Sequence, residues 1–226
     1  MSWIQTFTGR KFDVLNPRAE DVCWLDIAHS LAHQCRFNGH TKQFYSVAHH
    51  SVLASQHVPE RFALRALLHD AAEAYIGDMP KPVKEQFPEF SIMEDQIMAA
   101  VHEAADLVPM RMLPFEEASE IDLWVSGIDN RLLMTERDQL MAEPPEPWFL
   151  DHPDLRPEPV PVEICCEPDF EIYKGKFLRR LVELGVEVQM TDDGGQRTAT
   201  KNTKTERLGQ LPGAIRTDEQ LQEAGR

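Results

Sequence analysis

One stretch limits the fold of this chain more than any other: Ala66-Leu67-Leu68-His69-Asp70-Ala71-Ala72-Glu73-Ala74-Tyr75. Its apolar residues recur at helical spacing, and an imidazole and a carboxylate interrupt them side by side. Burying an ionised carboxylate beside an imidazole is costly unless something compensates. A divalent cation does so by taking the lone pairs of both. Two adjacent helical residues cannot complete a metal shell, so other helices must supply ligands. The stretch therefore demands several helices gathered around one point.

The other helices offer suitable groups. Residues 43–57 read as a helix with Phe44, Val47, Ala54 and Val58 on its apolar side, and His50 falls among them, pointing inward better than His49. Residues 116–141 read as a long helix in which Asp129 borders Val125, Ile128, Leu132 and Leu133. His50, His69, Asp70 and Asp129 would give two nitrogen and two carboxylate ligands, leaving positions for water and a phosphate oxygen on a six-coordinate ion. Co, Mn, Mg, Zn and Ni all suit such a set. Glu73 lies one turn beyond His69 and Asp70 and can face the same pocket.

The rest of the chain fits an all-α domain with a small N-terminal β-hairpin. Residues 3–15 alternate apolar and polar around Thr8-Gly9-Arg10, a hairpin pattern. Further helices are expected over 19–34, 60–75, 89–106 and 169–185, with Met79-Pro80-Lys81-Pro82 as a rigid elbow. Half of the sixteen prolines fall in 143–168, a stretch long enough to be functional or mobile. Residues 191–226 lack aromatic residues and read as a disordered tail, which leaves a domain of residues 1–190.

Composition narrows the function. The net charge of −15 and the absence of a basic stripe argue against a nucleic-acid groove. A metal and a few local cations can still make one pocket attractive to a small phosphate compound. Lys42, Lys81, Lys84 and Arg111 are candidate cations, although surface solvation explains each as well. Cys23, Cys35, Cys165 and Cys166 form no C-x-x-C pair and read as reduced thiols. No apolar run approaches the roughly 18 residues of a membrane span, and Met1–Arg10 has no signal-peptide core. A cytoplasmic protein without membrane contact is expected. His29 and His33 have the i, i+4 spacing of a ligand pair but lack the glutamate of a zinc-protease motif. Trp24, Trp124 and Trp148 read as core or loop anchors.

The chain resembles the HD-domain 5′-deoxynucleotidases and the related phage-type deoxynucleoside triphosphohydrolases. The resemblance runs from Trp3-Ile4-Gln5-Thr6-Phe7-Thr8-Gly9 through Asp26-Ile27-Ala28, Cys35-Arg36-Phe37-Asn38-Gly39-His40 and Gln43 to Ser51. It is strongest from Ala66 to Tyr75 and from Asp78 to Lys84, and returns at Asp129 and Leu133-Met134-Thr135-Glu136-Arg137. It implies an HD helical bundle and metal ligation by His50, His69, Asp70 and Asp129. It implies acid–base or water-orienting roles for Glu73 and Asp78. Arg36 would hold the phosphate, Phe37 would press on the deoxyribose, and Pro82 would line the base pocket, with Lys81 beside it. His49 stands where relatives often have Glu or Gln. A homo-oligomer is implied by the resemblance alone.

The expected activity is metal-dependent cleavage of the P–O5′ bond of a deoxynucleoside monophosphate, or of a triphosphate such as dATP with release of triphosphate. The alternatives are hydrolysis of a guanosine tetraphosphate or cyclic nucleotide, whose enzymes usually carry further ligand motifs not found here, and a non-catalytic nucleotide sensor, for which Glu73 would be superfluous.

Overall fold

Alternation around a glycine turn produces the first element. In the computed structural model, which describes residues 2–188, strands β1 (Trp3–Gln5) and β2 (Lys11–Asp13) pair antiparallel with Ile4 opposite Phe12. Gly9 adopts a positive φ of 79° at the turn, a conformation open to glycine without steric cost. So small a hairpin needs support. Phe12 is fully buried and stacks on Tyr75 at 3.6 Å, while Thr8 donates from its amide and hydroxyl to the buried carboxylate of Asp26.

The body is helical: α1 (Trp24–His33), α2 (Val47–Gln56), α3 (Glu60–Leu68), α4 (Glu73–Ile76), α5 (Lys81–Lys84), α6 (Pro88–Ala104), α7 (Phe115–Leu140) and α8 (Phe170–Glu183). One apolar cluster joins α1 and α8 to α2 and α3 through Ile27, Leu31, Val52, Leu67, Tyr173 and Phe177. A second joins α2 and α3 to α7 through Tyr45, Leu53, Ala66, Ile128 and Leu132. Each such side chain contributes roughly 1.5–3 kcal/mol on full burial. Both clusters share α2, which carries His50, and α3, which ends immediately before His69.

Several boundaries differ from the sequence reading, each for a local reason. Residues 19–21 form a short 3₁₀ turn, and α1 starts only after an extended Cys23. Helix α2 starts at Val47 because Ser46 caps it, accepting from the His49 amide at 3.2 Å. The single helix expected over 60–75 is interrupted. Ala71, Glu73, Ala74 and Tyr75 donate to carbonyls three residues back, a 3₁₀-like tightening across the His-Asp pair. The elbow at 79–82 contains the start of α5, since Pro80 is its cap and Pro82 stands in its first turn, where no amide donor is needed.

The proline-rich segment is held in place. Arg131, Thr135 and Gln139, four residues apart on α7, bond in turn to the backbone at Glu158, Val160, Val162 and Ile164. Val160 and Ile164 are buried in the second cluster. Arg137 binds Asp151 at 2.6 Å, and Arg156 bridges Asp151 and Asp138. Trp24 is a core residue and Trp148 a loop anchor over Arg137, but Trp124 is 40% exposed, stacking on Phe62. All four cysteines are free. The expected disordered tail, 191–226, lies outside the described residues.

Candidate metal centre

His50 from α2, His69 and Asp70 from the turn after α3, and Asp129 from the middle of α7 converge. The Nε2 atoms of His50 and His69 are 3.2 Å apart. Asp129 Oδ1 lies 3.2 Å from His50 Nε2 and 3.9 Å from His69 Nε2. Asp70 Oδ2 lies 3.1 Å from His69 Nε2 and 3.7 Å from that of His50. Donor atoms of His50, His69 and Asp129 all fall within 4.8 Å of one another, the one such metal-compatible group among the described residues.

The other nitrogens of the two imidazoles are committed. His69 Nδ1 faces the Ala66 carbonyl at 2.8 Å, which only accepts, so Nδ1 carries the hydrogen. His50 Nδ1 faces Glu136 Oε1 at 2.5 Å. Two neutral imidazoles would therefore aim two lone pairs and two carboxylates at one point, which a cation must resolve. Burial and the Arg36 charge disfavour a charged His50, yet Glu136 and Asp129 outweigh them and raise it. Burial likewise opposes a charged His69, but Asp70 and Asp129 lift it well above the usual imidazole range. Burial would raise Asp70, but His69 first and then His50 and Arg36 pull it down to about 2. Burial would also raise Asp129, and the two histidines hold it well below the usual carboxylate range. This donor set fits a divalent ion of the nitrogen–oxygen type. Asp129 keeps 38% of its side-chain surface, so the cluster has an open side.

The supporting groups come from three places. The segment from Cys35 to Ser46 closes on itself through a β-bridge and a bond from the Arg36 amide to the Tyr45 carbonyl. It delivers Arg36 into the centre, with Nε 3.1 Å from Glu136 and its terminal nitrogens 3.4 Å from Asp70 and 3.8 Å from Asp129. Phe37 follows in a left-handed conformation, its ring 5.6 Å from the Arg36 guanidinium and 6.4 Å from Trp148. Glu73 opens α4, and its Oε2 is buried without a partner among the described residues. Burial, then the charges of Asp70 and Asp78, hold the Glu73 carboxyl well above its usual range. Asp78 is raised too, mainly by burial. Lys81 and Pro82 are exposed on the first turn of α5, and no hydrogen bond or ion pair among the described residues ties them to the centre. Lys84 from the same turn pairs with Glu94, and its charge reaches Asp78.

Two contributors escape the reading of ligands from sequence. Glu136 is fully buried and accepts from His50, Arg36 and Tyr45, the last at 2.7 Å. Its position two turns beyond Asp129 on the same face of α7 was the available signal. Gln34 donates to the Glu73 carbonyl and accepts from the Asp78 amide at 3.0 Å, bracketing the segment that carries both carboxyls. His49 is buried against Tyr173, with burial and then the Lys176 charge lowering it to about 4. His29 and His33 join an aromatic stack with Phe7 and Phe170, and neither belongs to a metal-compatible group among the described residues.

Residues 32–125 match the family described as "5'-deoxynucleotidase YfbR-like". The chain is 46% identical over 123 residues to the uncharacterized protein YfdR of Escherichia coli K12, covering 54% of this chain and 69% of that protein. It is 39% identical over 127 residues to an uncharacterized protein of Rhodobacter capsulatus, covering 52% of this chain and 65% of the relative.

Proposed function

This chain belongs to the YfbR-like 5′-deoxynucleotidase family, and on that premise we propose that it is a divalent-metal-dependent phosphohydrolase cleaving the P–O5′ bond of a 5′-deoxynucleotide. One observation carries the reading: two imidazole Nε2 atoms and two carboxylates meet at a single point while the other imidazole nitrogens are bonded elsewhere. His50, His69, Asp70 and Asp129 hold the ion, within a hydrolase unit spanning residues 1–190.

When bound, a divalent ion polarises a phosphate oxygen and makes water more acidic. Arg36 keeps Nε on Glu136 and turns its terminal nitrogens to the phosphate, a match of planar donors to oxyanion. Asp78 accepts a proton from the attacking water. Glu73, whose carboxyl is held well above its usual range, gives a proton to the departing 5′-oxygen. Such proton transfers are typically worth about 10²–10⁴ in rate. The water oxygen forms the new bond to phosphorus and the P–O5′ bond breaks. A monophosphate yields nucleoside and phosphate, and a triphosphate yields nucleoside and triphosphate. Phe37 lies beside Arg36, where its ring would meet the sugar.

The test is a product assay. Metal-stripped protein, reloaded with Mn²⁺ or Co²⁺, is offered deoxy and ribo mono- and triphosphates. Release of phosphate from deoxymonophosphates, or of intact triphosphate from deoxytriphosphates, is expected. No turnover of any of them by protein that binds the metal would overturn the proposal.

A further inference from the structure

A cavity of about 390 Å³ lies between α3, α6 and α7, and His69 forms part of its wall. That volume suits a small ligand. Met98, Met110, Ile121 and Val125 supply apolar surface. The feature that stands out is Arg65, which lines the cavity with 8% of its surface exposed. Buried guanidinium groups are ordinarily paired with carboxylates, because an uncompensated charge away from water is costly. The protein obeys this elsewhere: Arg137, equally buried, binds Asp138 and Asp151, and even exposed Arg61, one turn before Arg65, binds Glu120. Arg65 has no ion pair among the described residues. It donates one hydrogen bond to the Val108 carbonyl at 2.8 Å and a weak one to Met110 Sδ. Its Nε makes no hydrogen bond among the described residues, and the Glu117 carboxylate acts on the guanidinium only from beyond ion-pair range.

Two further groups line the same cavity. His102 is buried, and burial first and the Arg65 charge second lower it to about 4, so at neutral pH it is an uncharged ring able to donate a hydrogen bond. Arg111 reaches it from the exposed turn Met110–Met112. Asp95 and Asp122 also line it, both from exposed positions where solvent screens them, and Asp122 accepts from Ser126. The buried wall thus carries a positive charge and the exposed rim both signs.

We infer that this cavity is a phosphate-type oxyanion site, with Arg65 and Arg111 as its cations and His102 as a further donor. The oxyanion comes either from phosphates of a nucleotide beyond the one at the His50–His69 centre, or from a separate phosphate compound. The first source deepens the functional reading above and rests on it. The second does not.

The experiment uses the full chain, stripped of metal, titrated calorimetrically with inorganic tripolyphosphate. Tripolyphosphate binds, Arg65→Met and Arg111→Gln each weaken it at least about tenfold, and Lys11→Gln, which removes an exposed cation on β2, leaves it within about threefold. Arg65→Met also removes a bond to Val108, but Arg111 sits on an exposed turn and its side chain makes no hydrogen bond or ion pair among the described residues, so Arg111→Gln tests the site without threatening the fold. The inference is overturned if tripolyphosphate does not bind, or if both arginine variants bind it as well as the parent chain. Because no metal is present, failure of the hydrolase reading leaves this result standing. Turnover of monophosphates without tripolyphosphate binding sinks this inference alone. The source is then read from metal-loaded protein. If the anion is the substrate's own tail, Arg111→Gln raises the ratio of triphosphate to monophosphate KM about tenfold. If it is a separate compound, that ratio stays constant and tripolyphosphate binds together with a monophosphate.

Discussion

Replacing Glu136 by Gln tests whether one buried carboxylate orients both halves of the centre. Glu136 Oε1 accepts from His50 Nδ1 and Tyr45, and Oε2 accepts from Arg36 Nε. A glutamine supplies a single acceptor oxygen. If that oxygen keeps His50 and Tyr45, its NH₂ group faces Arg36 Nε, donor against donor. If the amide flips, His50 and Tyr45 lose their acceptor instead. Either way at least one charge-assisted bond is lost, worth about 1.5–3 kcal/mol net, and the buried charge of Arg36 loses its nearest negative charge. Asp70 and Asp129 still face Arg36, so the loss stays below the roughly 3–5 kcal/mol of a fully orphaned buried ion. We expect about 2–3 kcal/mol in urea unfolding of metal-free protein. Mn²⁺ affinity should fall about 10–100-fold, because His50 is no longer locked in the tautomer that aims Nε2 inward. The control is Tyr45→Phe, which removes the 2.7 Å bond but leaves His50 and Arg36 on Glu136. It should cost about 1 kcal/mol of stability and leave Mn²⁺ affinity within about threefold. Unchanged Mn²⁺ affinity in Glu136→Gln, or an equal loss in Tyr45→Phe, would refute an orienting role.

The remaining expectations concern stability. Mn²⁺ at about 100 times its Kd should stabilise the fold by about 2.7 kcal/mol in urea unfolding, and Asp129→Asn should abolish most of that gain. His102 is lowered to about 4, below its unfolded value near 6.5, so its contribution is complete above pH 6.5 and is lost as pH falls toward 4. That amounts to at most about 3 kcal/mol, and His102→Gln should flatten the acid limb of a stability-versus-pH curve. Thr135→Val leaves the buried Val160 amide without its acceptor, so a loss of about 1–3 kcal/mol and faster proteolysis within 143–168 are expected.

Much of the site was legible because its residues break a pattern. A histidine and an aspartate inside an Ala/Leu run, and a histidine and an aspartate at apolar-facing positions of two other helices, stand out against helical periodicity. Asp26, holding Thr8, and Gln34, bracketing Glu73 and Asp78, do not stand out, since a lone polar residue at a helix edge reads as solvated. Their partners lie 18, 39 and 44 residues away, separations that periodicity does not encode. Glu136 was hidden for the opposite reason: it sits in Thr-Glu-Arg-Asp, a polar run that reads as an exposed face, yet it is fully buried. The proline-rich segment gave no sign of order because its order is borrowed. Its backbone bonds go to side chains spaced along α7, and nothing in its own composition reveals them.

The tightened turn after α3 links sequence to charge state. In a regular α-helix Glu73 would project between His69 and Asp70, at about 100° per residue. With bonds to the third carbonyl back, residues three apart eclipse, and Glu73 is drawn over Asp70. The consequence is two carboxyls at close quarters in opposite states. Asp70 faces both imidazoles and Arg36 and stays ionised. Glu73 has a buried oxygen with no donor among the described residues and two acidic neighbours, and its carboxyl is held well above its usual range. Environments that push two carboxyls apart in this way are how one site keeps an acid and an anion side by side near neutral pH. An uninterrupted α-helix through residues 60–75 would leave Glu73 offset from Asp70 and weaken that contrast, so the break in the helix is part of how the His-Asp pair gains a neighbouring acid.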